Sequence, residues 1–320
     1  MGIAMSFAMA AALALSAPNA NATQLSNDDK SAIPHDVQQI IVVDYRAMQN
    51  SSAAMGLKDR VLPPELKRLE TALTTSGLKV DSDADALAFA AFRVPGPDAK
   101  SPDQTLIVGI AQGQFRTHDI LTSFAKSKTV PMKLRNNSIY PMGSTGMSVV
   151  FLNQTTMVFG DKVAITAALD ARDGLKPNFL TNTDLVNEMI VVDNHAIWSL
   201  LDAKGTQGMM KSVLGQASQL ADYDTIKNRM KTSRYTMDFA NGVRFDMAVT
   251  MSDTLTAATC ATLMKGVAIL KKTQGTPLEK TALDDTTIDS SSGTLTVDYS
   301  SSDSQFASLL TSPLFQSVVK

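Results

Sequence analysis

Past its first 36 residues, the chain repeats one order of predicted elements: strand, helix, two strands, helix, strand pair and helix. The first copy of this order begins with the apolar strand Gln38–Asp44 and ends with an alanine-rich helix after Asp161. The second begins at Ala196–Leu201, and its hairpin turns at Asn241-Gly242, a dipeptide typical of two-residue β-turns. Residue identity between the two copies is negligible, so the repeat is one of pattern.

This order favours the α+β class, with two similar modules of mixed, mainly antiparallel sheet and helices packed on one face. We place the first module at residues 37–190 and the second at 191–320, after a flexible N-terminal segment at 23–36. The modules either pack side by side or share a continuous sheet. In the first module, leucines at helical spacing predict a helix that ends at Gly77.

The first 22 residues have the pattern of a cleavable export signal. An apolar run from Ile3 to Leu15 is followed by Ala20-Asn21-Ala22, the small-x-small pattern that a signal peptidase cuts after. Cleavage would leave Thr23 as the first residue of an extracytoplasmic protein, either periplasmic or secreted. No Lys or Arg precedes Ile3, which indicates an upstream start or an atypical signal.

Two other interpretations of this segment are weaker. An uncleaved anchor is disfavoured because the apolar run is shorter than the roughly 20 residues that span a bilayer. Met1-Gly2 with Ser6 also matches a myristoylation pattern, but the apolar run explains the same residues. No later stretch is long and apolar enough to span a membrane, so we expect no membrane span in the mature form.

Composition excludes several partners. A net charge of −2 gives no general attraction to nucleic acid, and the basic stretch around Lys126 lacks the aromatic residues that stack on bases. Cys260 is the single cysteine, so no intrachain disulfide forms, and its apolar helical neighbours predict a buried thiol. Trp198, the single tryptophan, is expected in the core.

Several stretches resemble a group of exported bacterial proteins that carry a domain of unknown function. They are Val61-Leu62-Pro63-Pro64 through Gly77-Leu78 and the following aspartates, Leu106 to Phe115 with the helix after it, the strand with Tyr140, and Met157 to Asp161 with its alanine-rich helix. The resemblance covers most of the chain after residue 22. It implies a repeated α+β fold outside the cytoplasm, and it implies no activity and no site residues.

Metal sites have weak candidates. Asp81, Asp83 and Asp85 have the spacing that opens a calcium loop, but Ala86 replaces its glycine and Phe92 its bidentate glutamate. A turn before a strand explains these aspartates better, with weak cation binding as the alternative. The histidines, His35, His118 and His195, are far apart and lack zinc-ligand spacing.

Catalytic candidates are few. Ser123 and Lys126 match the S-x-x-K motif of penicillin-recognising serine enzymes, and His118 lies on the same predicted helix. The motif recurs elsewhere in this serine-rich chain, and its companion motifs are only approximated. No P-loop, G-x-G-x-x-G or G-x-S-x-G motif occurs, so the sequence predicts no cofactor.

These observations leave two functional hypotheses. The first is a non-enzymatic envelope protein that binds a small ligand, a lipid or an envelope protein, in a cleft between modules or along a sheet edge. The second is an extracytoplasmic hydrolase with an unrecognised Ser/Lys or Asp/Asp pair. Methionines clustered in the second half indicate either flexible core filling or an adaptable apolar groove; they are Met209, Met210, Met230, Met237, Met247, Met251 and Met264.

Overall fold

The structure is a computed structural model that describes residues 23–49, 51–61, 68, 71, 83–96, 103–142, 146–219 and 223–312. The export signal predicted at residues 1–22, the end of the predicted helix at Gly77, and Asp81 lie outside these residues.

The described residues of the first half contain seven strands and six α-helices. In chain order the elements are α1 (Asn27–Ser31), β1 (Val37–Asp44), α2 (Tyr45–Gln49), α3 (Ser52–Val61), β2 (Ala84–Val94), β3 (Gln104–Gly113), α4 (Thr117–Lys126), β4 (Met132–Leu134), β5 (Asn137–Pro141), β6 (Ser148–Phe151), β7 (Thr156–Gly160), α5 (Lys162–Arg172) and α6 (Thr183–Val192). A 3-10 turn at Phe179–Thr181 precedes α6.

The described residues of the second half contain five strands and five α-helices. Its elements are β8 (Ile197–Leu201), α7 (Ala203–Leu214), α8 (Tyr223–Lys227), β9 (Met230–Asp238), β10 (Val243–Met251), α9 (Thr254–Gln274), α10 (Pro277–Asp284), β11 (Thr286–Ser291), β12 (Thr294–Ser301) and α11 (Asp303–Leu309). Local chemistry explains two boundaries. The Asp253 side chain accepts the Thr256 backbone N–H at 2.8 Å and caps α9, and Gly242 takes φ +88° in the β9–β10 hairpin.

The twelve described strands form one antiparallel sheet in the order β11-β12-β10-β9-β8-β1-β2-β3-β7-β6-β5-β4. The α+β class is therefore confirmed, with one continuous sheet. β1 and β8 pair at its centre, where Ile41 lies opposite Ser199. The Asp44 N–H donates to the Ala196 carbonyl at one end of this pair, and the Asp202 N–H donates to the Gln38 carbonyl at the other.

Helices cover both faces of the sheet, which differs from the expected packing on one face. On one face, α1, α5 and α6 pack over strands that include β1 and β3, with Val42, Ile110 and Leu169 fully buried or nearly so. On the opposite face, α3, α4 and α11 pack around Phe89 and Phe159. Central strands such as β1 are apolar on both sides, so both faces must be removed from water.

The N-terminal segment 23–36 is packed against the sheet, although the sequence predicts it to be flexible. Leu25, Ala32 and Ile33 are 3%, 1% and 0% exposed, and Ser26 and Asp29 form a capping box at the start of α1. The apolar side chains of this short segment pack against residues that are distant in sequence, so their burial depends on the tertiary structure.

Several predicted core residues are buried. Trp198 is 1% exposed and Cys260 is 0% exposed. All of the clustered methionines except Met209 are buried, and Met209 packs against the core below α9. The methionines therefore fill the core, as the first of the two interpretations expects. Within the described part of the chain, no helix is long and apolar enough to cross a bilayer.

Candidate functional site

The predicted Ser/Lys motif lies on α4. Lys126 and His118 are exposed, and Ser123 is half-buried. In the described part of the chain, neither the Ser123 hydroxyl nor the Lys126 ammonium makes a side-chain hydrogen bond, and the His118 carbonyl accepts from Thr122 at 2.8 Å. The geometry therefore offers no activation of Ser123 by Lys126, which a serine nucleophile requires.

Of the aspartates in the calcium-like motif, the structure describes Asp83, which precedes β2, and Asp85, which lies in it. The Asp83 carbonyl accepts the Gln114 N–H at 2.9 Å, and Asp85 pairs with Arg46 at 2.5 Å. Among the described residues, no group of three or more His, Cys, Asp or Glu side chains is arranged to hold a metal ion.

One face of strands β9, β10, β12 and β11 is polar and becomes exposed toward the edge of the sheet. Side chains alternate between the two faces of a strand, so the strand register assigns fifteen positions to this face. Fourteen of the fifteen are polar, and Ala248 is the exception. We call this set the polar sheet face: Thr232, Arg234, Thr236, Asp238, Arg244, Asp246, Ala248, Thr250, Thr287, Asp289, Ser291, Thr294, Thr296, Asp298 and Ser300.

Exposure increases across the polar sheet face from β9 to β11. Thr232 and Thr236 on β9 are 8% and 5% exposed, because α6 packs over β8 and β9. Asp298 on β12 and Thr287 and Asp289 on β11 are exposed. The other side of the same strands is apolar and packs on α9. The outer three strands therefore present a polar surface to solvent.

Glu188 on α6 holds the inner border of the polar sheet face. Its Oε1 accepts the Thr232 hydroxyl at 3.1 Å and the Thr250 hydroxyl at 3.3 Å, and its Oε2 accepts from Arg234. The Glu188 and Arg234 side chains are 17% and 28% exposed, so this charge pair is partly shielded from water. These contacts fix α6 over β9.

A carboxylate pair lies in the middle of the polar sheet face. Asp246 and Asp298 are directly opposite each other on β10 and β12, and Arg244 binds Asp246 with its Nε 3.0 Å from Oδ2. Partial burial and the neighbouring Asp246 raise the pKa of Asp298, and Arg244 opposes this shift. Outside the Glu188–Arg234 pair, the face carries one arginine against four aspartates and is net acidic.

His195 borders the same face at the start of β8. Its Nδ1 lies 2.6 Å from Asp238 Oδ2, and Asp238 Oδ1 accepts the Ala196 N–H at 3.1 Å. Both side chains are about one-third exposed, at 29% and 36%. His35, by contrast, binds the Thr181 hydroxyl in the first half of the chain. The three histidines thus occupy separate environments.

A shallow depression of about 200 Å³ lies between α10, β12 and α11. Tyr299, Ser301 and Asp285 line it together with Leu278 and Leu309. Burial raises the pKa of Tyr299, with Ser301 opposing the shift. The depression is shallow and open to solvent, whereas a typical ligand pocket encloses most of a drug-sized molecule.

Sequence reasoning missed the residues of the polar sheet face. A signal was present in Thr294 to Ser300, where polar and apolar residues alternate strictly, as on a half-buried strand. Glu188 had no such signal, because its hydroxyl donors are 44 and 62 residues away in sequence.

No family model matches the sequence, and no curated protein matches it significantly. Among solved structures, crystal form I of TP0453 aligns over 90% of this chain and 98% of its own, at 9% identity and a TM-score of 0.48. Crystal form III of TP0453 aligns over 89% and 98%, at 8% identity and a TM-score of 0.47.

Proposed function

We propose that this chain is an exported, non-enzymatic envelope protein that binds a partner through its polar sheet face. The observation that carries the proposal is the exposed outer part of this face. In the first half of the sheet, the same face is buried under α5 and α6, with Val108 and Ile110 at 0% exposure. In the second half it presents hydroxyl and charged side chains in register.

The charges on the face indicate a basic and polar partner. Asp246, Asp289 and Asp298 lie on the three outer strands, and Arg244 is the one arginine among them on this face. Charge complementarity guides the encounter and selects against acidic partners. Threonine and serine hydroxyls between the carboxylates can donate to and accept from a polar chain laid across the strands.

The test is a binding titration with labelled synthetic peptides, one alternating lysine and threonine and one alternating glutamate and threonine. We expect the lysine peptide to bind, and the triple variant D246N/D289N/D298N to bind it about 3- to 150-fold more weakly, from about 0.2–1 kcal/mol for each exposed charge pair. The matched control D184N/D224N/D303N removes three charges from exposed helix positions. An equal loss in both variants, or no binding by the wild type, would refute the proposal.

Export is the second part of the proposal. It is supported by the apolar run and the Ala20-Asn21-Ala22 pattern in the sequence. An intact mass of the protein recovered from the cell envelope or the medium tests it. A chain that begins at Thr23 is expected, and a chain that retains Met1 would contradict export by cleavage.

We also propose that the chain contains two related modules, at residues 37–190 and 191–320. Two matched contacts support this. Asp44 ends β1 and accepts the Ala47 N–H at 2.9 Å, and Asp202 follows β8 and accepts the Gly205 N–H at 2.7 Å. Each carboxylate thus caps the helix after the first strand of its module. Separate expression of the two segments tests whether each folds alone.

A hydrolase is the alternative, and one observation favours it. Asp246 and Asp298 lie opposite each other, and the raised pKa of Asp298 is a property that a general acid needs. The pair lies on an open strand surface, which leaves the reacting groups in water. Release of nitrophenol from aryl glycoside or aryl ester substrates, lost in D298N, would support this alternative over binding.

A further inference from the structure

Asp44, at the end of β1, faces the backbone nitrogen of Thr23. The Thr23 nitrogen lies 2.7 Å from Asp44 Oδ2, and 21 residues separate the two in sequence. Asp44 is 4% exposed, so its carboxylate is almost completely removed from water.

The Asp44 carboxylate lacks a charged partner in the described part of the chain. Its Oδ1 accepts the Ala47 N–H at 2.9 Å, and its Oδ2 accepts from Thr23; both donors are neutral in the uncut chain. No Lys, Arg or His among the described residues forms an ion pair with it. A buried carboxylate without a cation is costly, because desolvation of the charge is only partly offset by neutral donors.

The segment that follows Thr23 is held in place by contacts with β3 and the core. The Ser26 N–H donates to Gln112 Oε1 at 2.9 Å, and Gln112 Nε2 donates to the Gln24 carbonyl at 3.2 Å. Leu25 is 3% exposed in the core below α5 and α6. The position of the Thr23 nitrogen is therefore set by residues that remain after cleavage at Ala22.

We propose that the Asp44 carboxylate binds the α-ammonium group of Thr23. This group forms when the Ala22–Thr23 bond is cleaved. This inference rests on the proposed export. A signal peptidase hydrolyses the bond: water adds its oxygen to the Ala22 carbonyl carbon, the C–N bond breaks, and the Thr23 nitrogen leaves as an amine. The amine takes up a proton below its pKa of about 7.7–8.0 and becomes a cation.

Cleavage converts a neutral hydrogen bond into a buried ion pair at the same atom. Charge-assisted hydrogen bonds are shorter and stronger than neutral ones, and the new cation compensates Asp44. The cleaved chain therefore has an ion pair between Thr23 and Asp44 that the uncut chain lacks. The folded mature chain is more stable than the uncut chain by this interaction.

The direct measurement is the pKa of the Thr23 α-amino group, followed by NMR in a recombinant chain released with Thr23 as its first residue. Other acids near this amine are Asp28 and Asp29 on α1, and Asp193, which accepts from Gln24 at 3.2 Å. We expect Asp44 to raise the α-amino pKa by about one unit or more, a tenfold change in the protonation equilibrium. The shift disappears in D44N and persists in D193N. An unshifted α-amino pKa in the wild type would overturn the inference.

A second measurement keeps the inference testable if D44N does not fold. A chain that begins at Asn19 carries its ammonium group four residues away from Thr23 but retains Asp44. We expect folding to raise the α-amino pKa of the Thr23 chain. Its stability relative to the Asn19 chain should then be greatest below about pH 7.7, and this difference should be lost as pH rises through the α-amino pKa of the folded Thr23 chain. Parallel stability profiles of the two chains would contradict the proposal. The intact mass of the exported protein tests export separately, since both chains here are recombinant.

Discussion

Gly109 on β3 is a position where one added methyl group should severely disturb the core. A Cβ at Gly109 would lie 2.1 Å from two ring carbons of Phe159, which is directly opposite on β7. Carbon atoms in good contact are about 3.5–4.0 Å apart, so the ring must retreat by roughly 1.5 Å. Phe159 is 0% exposed and packs edge-on against Phe89, with ring centroids 5.8 Å apart. Any movement of the ring must therefore disturb its contact with Phe89.

The expected cost of G109A is about 2–4 kcal/mol in the free energy of unfolding. Overpacking of a core contributes about 1–3 kcal/mol. Loss of the Phe89–Phe159 geometry contributes about 0.5–1.5 kcal/mol. The matched control is G208A on α7, where nothing lies within 4 Å of the added Cβ. In a helix interior, Gly to Ala is expected to stabilise by about 0.5–1 kcal/mol.

The assay is urea unfolding followed by the fluorescence of Trp198, which is the single tryptophan and 1% exposed. G109A should move the midpoint to lower urea and G208A to higher urea. F159L in the G109A background should recover part of the loss, because it removes the ring that clashes. Equal midpoints for G109A and the wild type would refute the packing around Phe159.

Three further predictions concern single side chains. Burial raises the pKa of Asp29, whose Oδ1 has no hydrogen-bond partner. The wild type should therefore lose stability relative to D29N as pH rises through the folded pKa of Asp29. The free energies of unfolding of both proteins at pH 3 and pH 7 check this, and a difference that does not change with pH would contradict it. E188A should cost about 1–3 kcal/mol, because it leaves Arg234 and two threonines without their acceptor; D224A on exposed α8 is the control and should behave as wild type. Burial raises the pKa of Cys260 to about 11, so the folded protein should resist a thiol reagent at pH 8 and react once unfolded; rapid labelling of the folded form would disprove this burial.

Local elements were predictable wherever the signal lay within a few residues. The β9–β10 hairpin follows from Asn241-Gly242, since the turn needs positive φ at Gly242. The start of α9 at Thr254 follows from Asp253, whose side chain caps the helix. Cys260 is buried on the face that its apolar neighbours indicate.

The packing of the two faces was not predictable in the same way. Ile33 is apolar, but the sequence contains no sign that α1 docks beside the 3-10 turn, where the Phe179 N–H donates to the Ile33 carbonyl at 2.8 Å. Ser123 and Lys126 match a motif by spacing alone, and spacing does not create the hydrogen bond that catalysis needs. The candidate site depends instead on strand register across the second half.

The sequence by itself determined the α+β class, the β9–β10 hairpin, the burial of Cys260 and the alternation that makes one side of β12 polar. Those properties depend on neighbours within a few residues, through backbone geometry and side-chain periodicity. Only the tertiary structure decided that β1 pairs with β8, that Glu188 binds across to β9 and β10, and that Thr23 meets Asp44. Gln39 and Ser199, in hydrogen-bond contact at 3.3 Å, are 160 residues apart. Local preferences are compatible with many strand pairings. The observed pairings are selected because they allow the apolar side chains of the whole chain to be buried together.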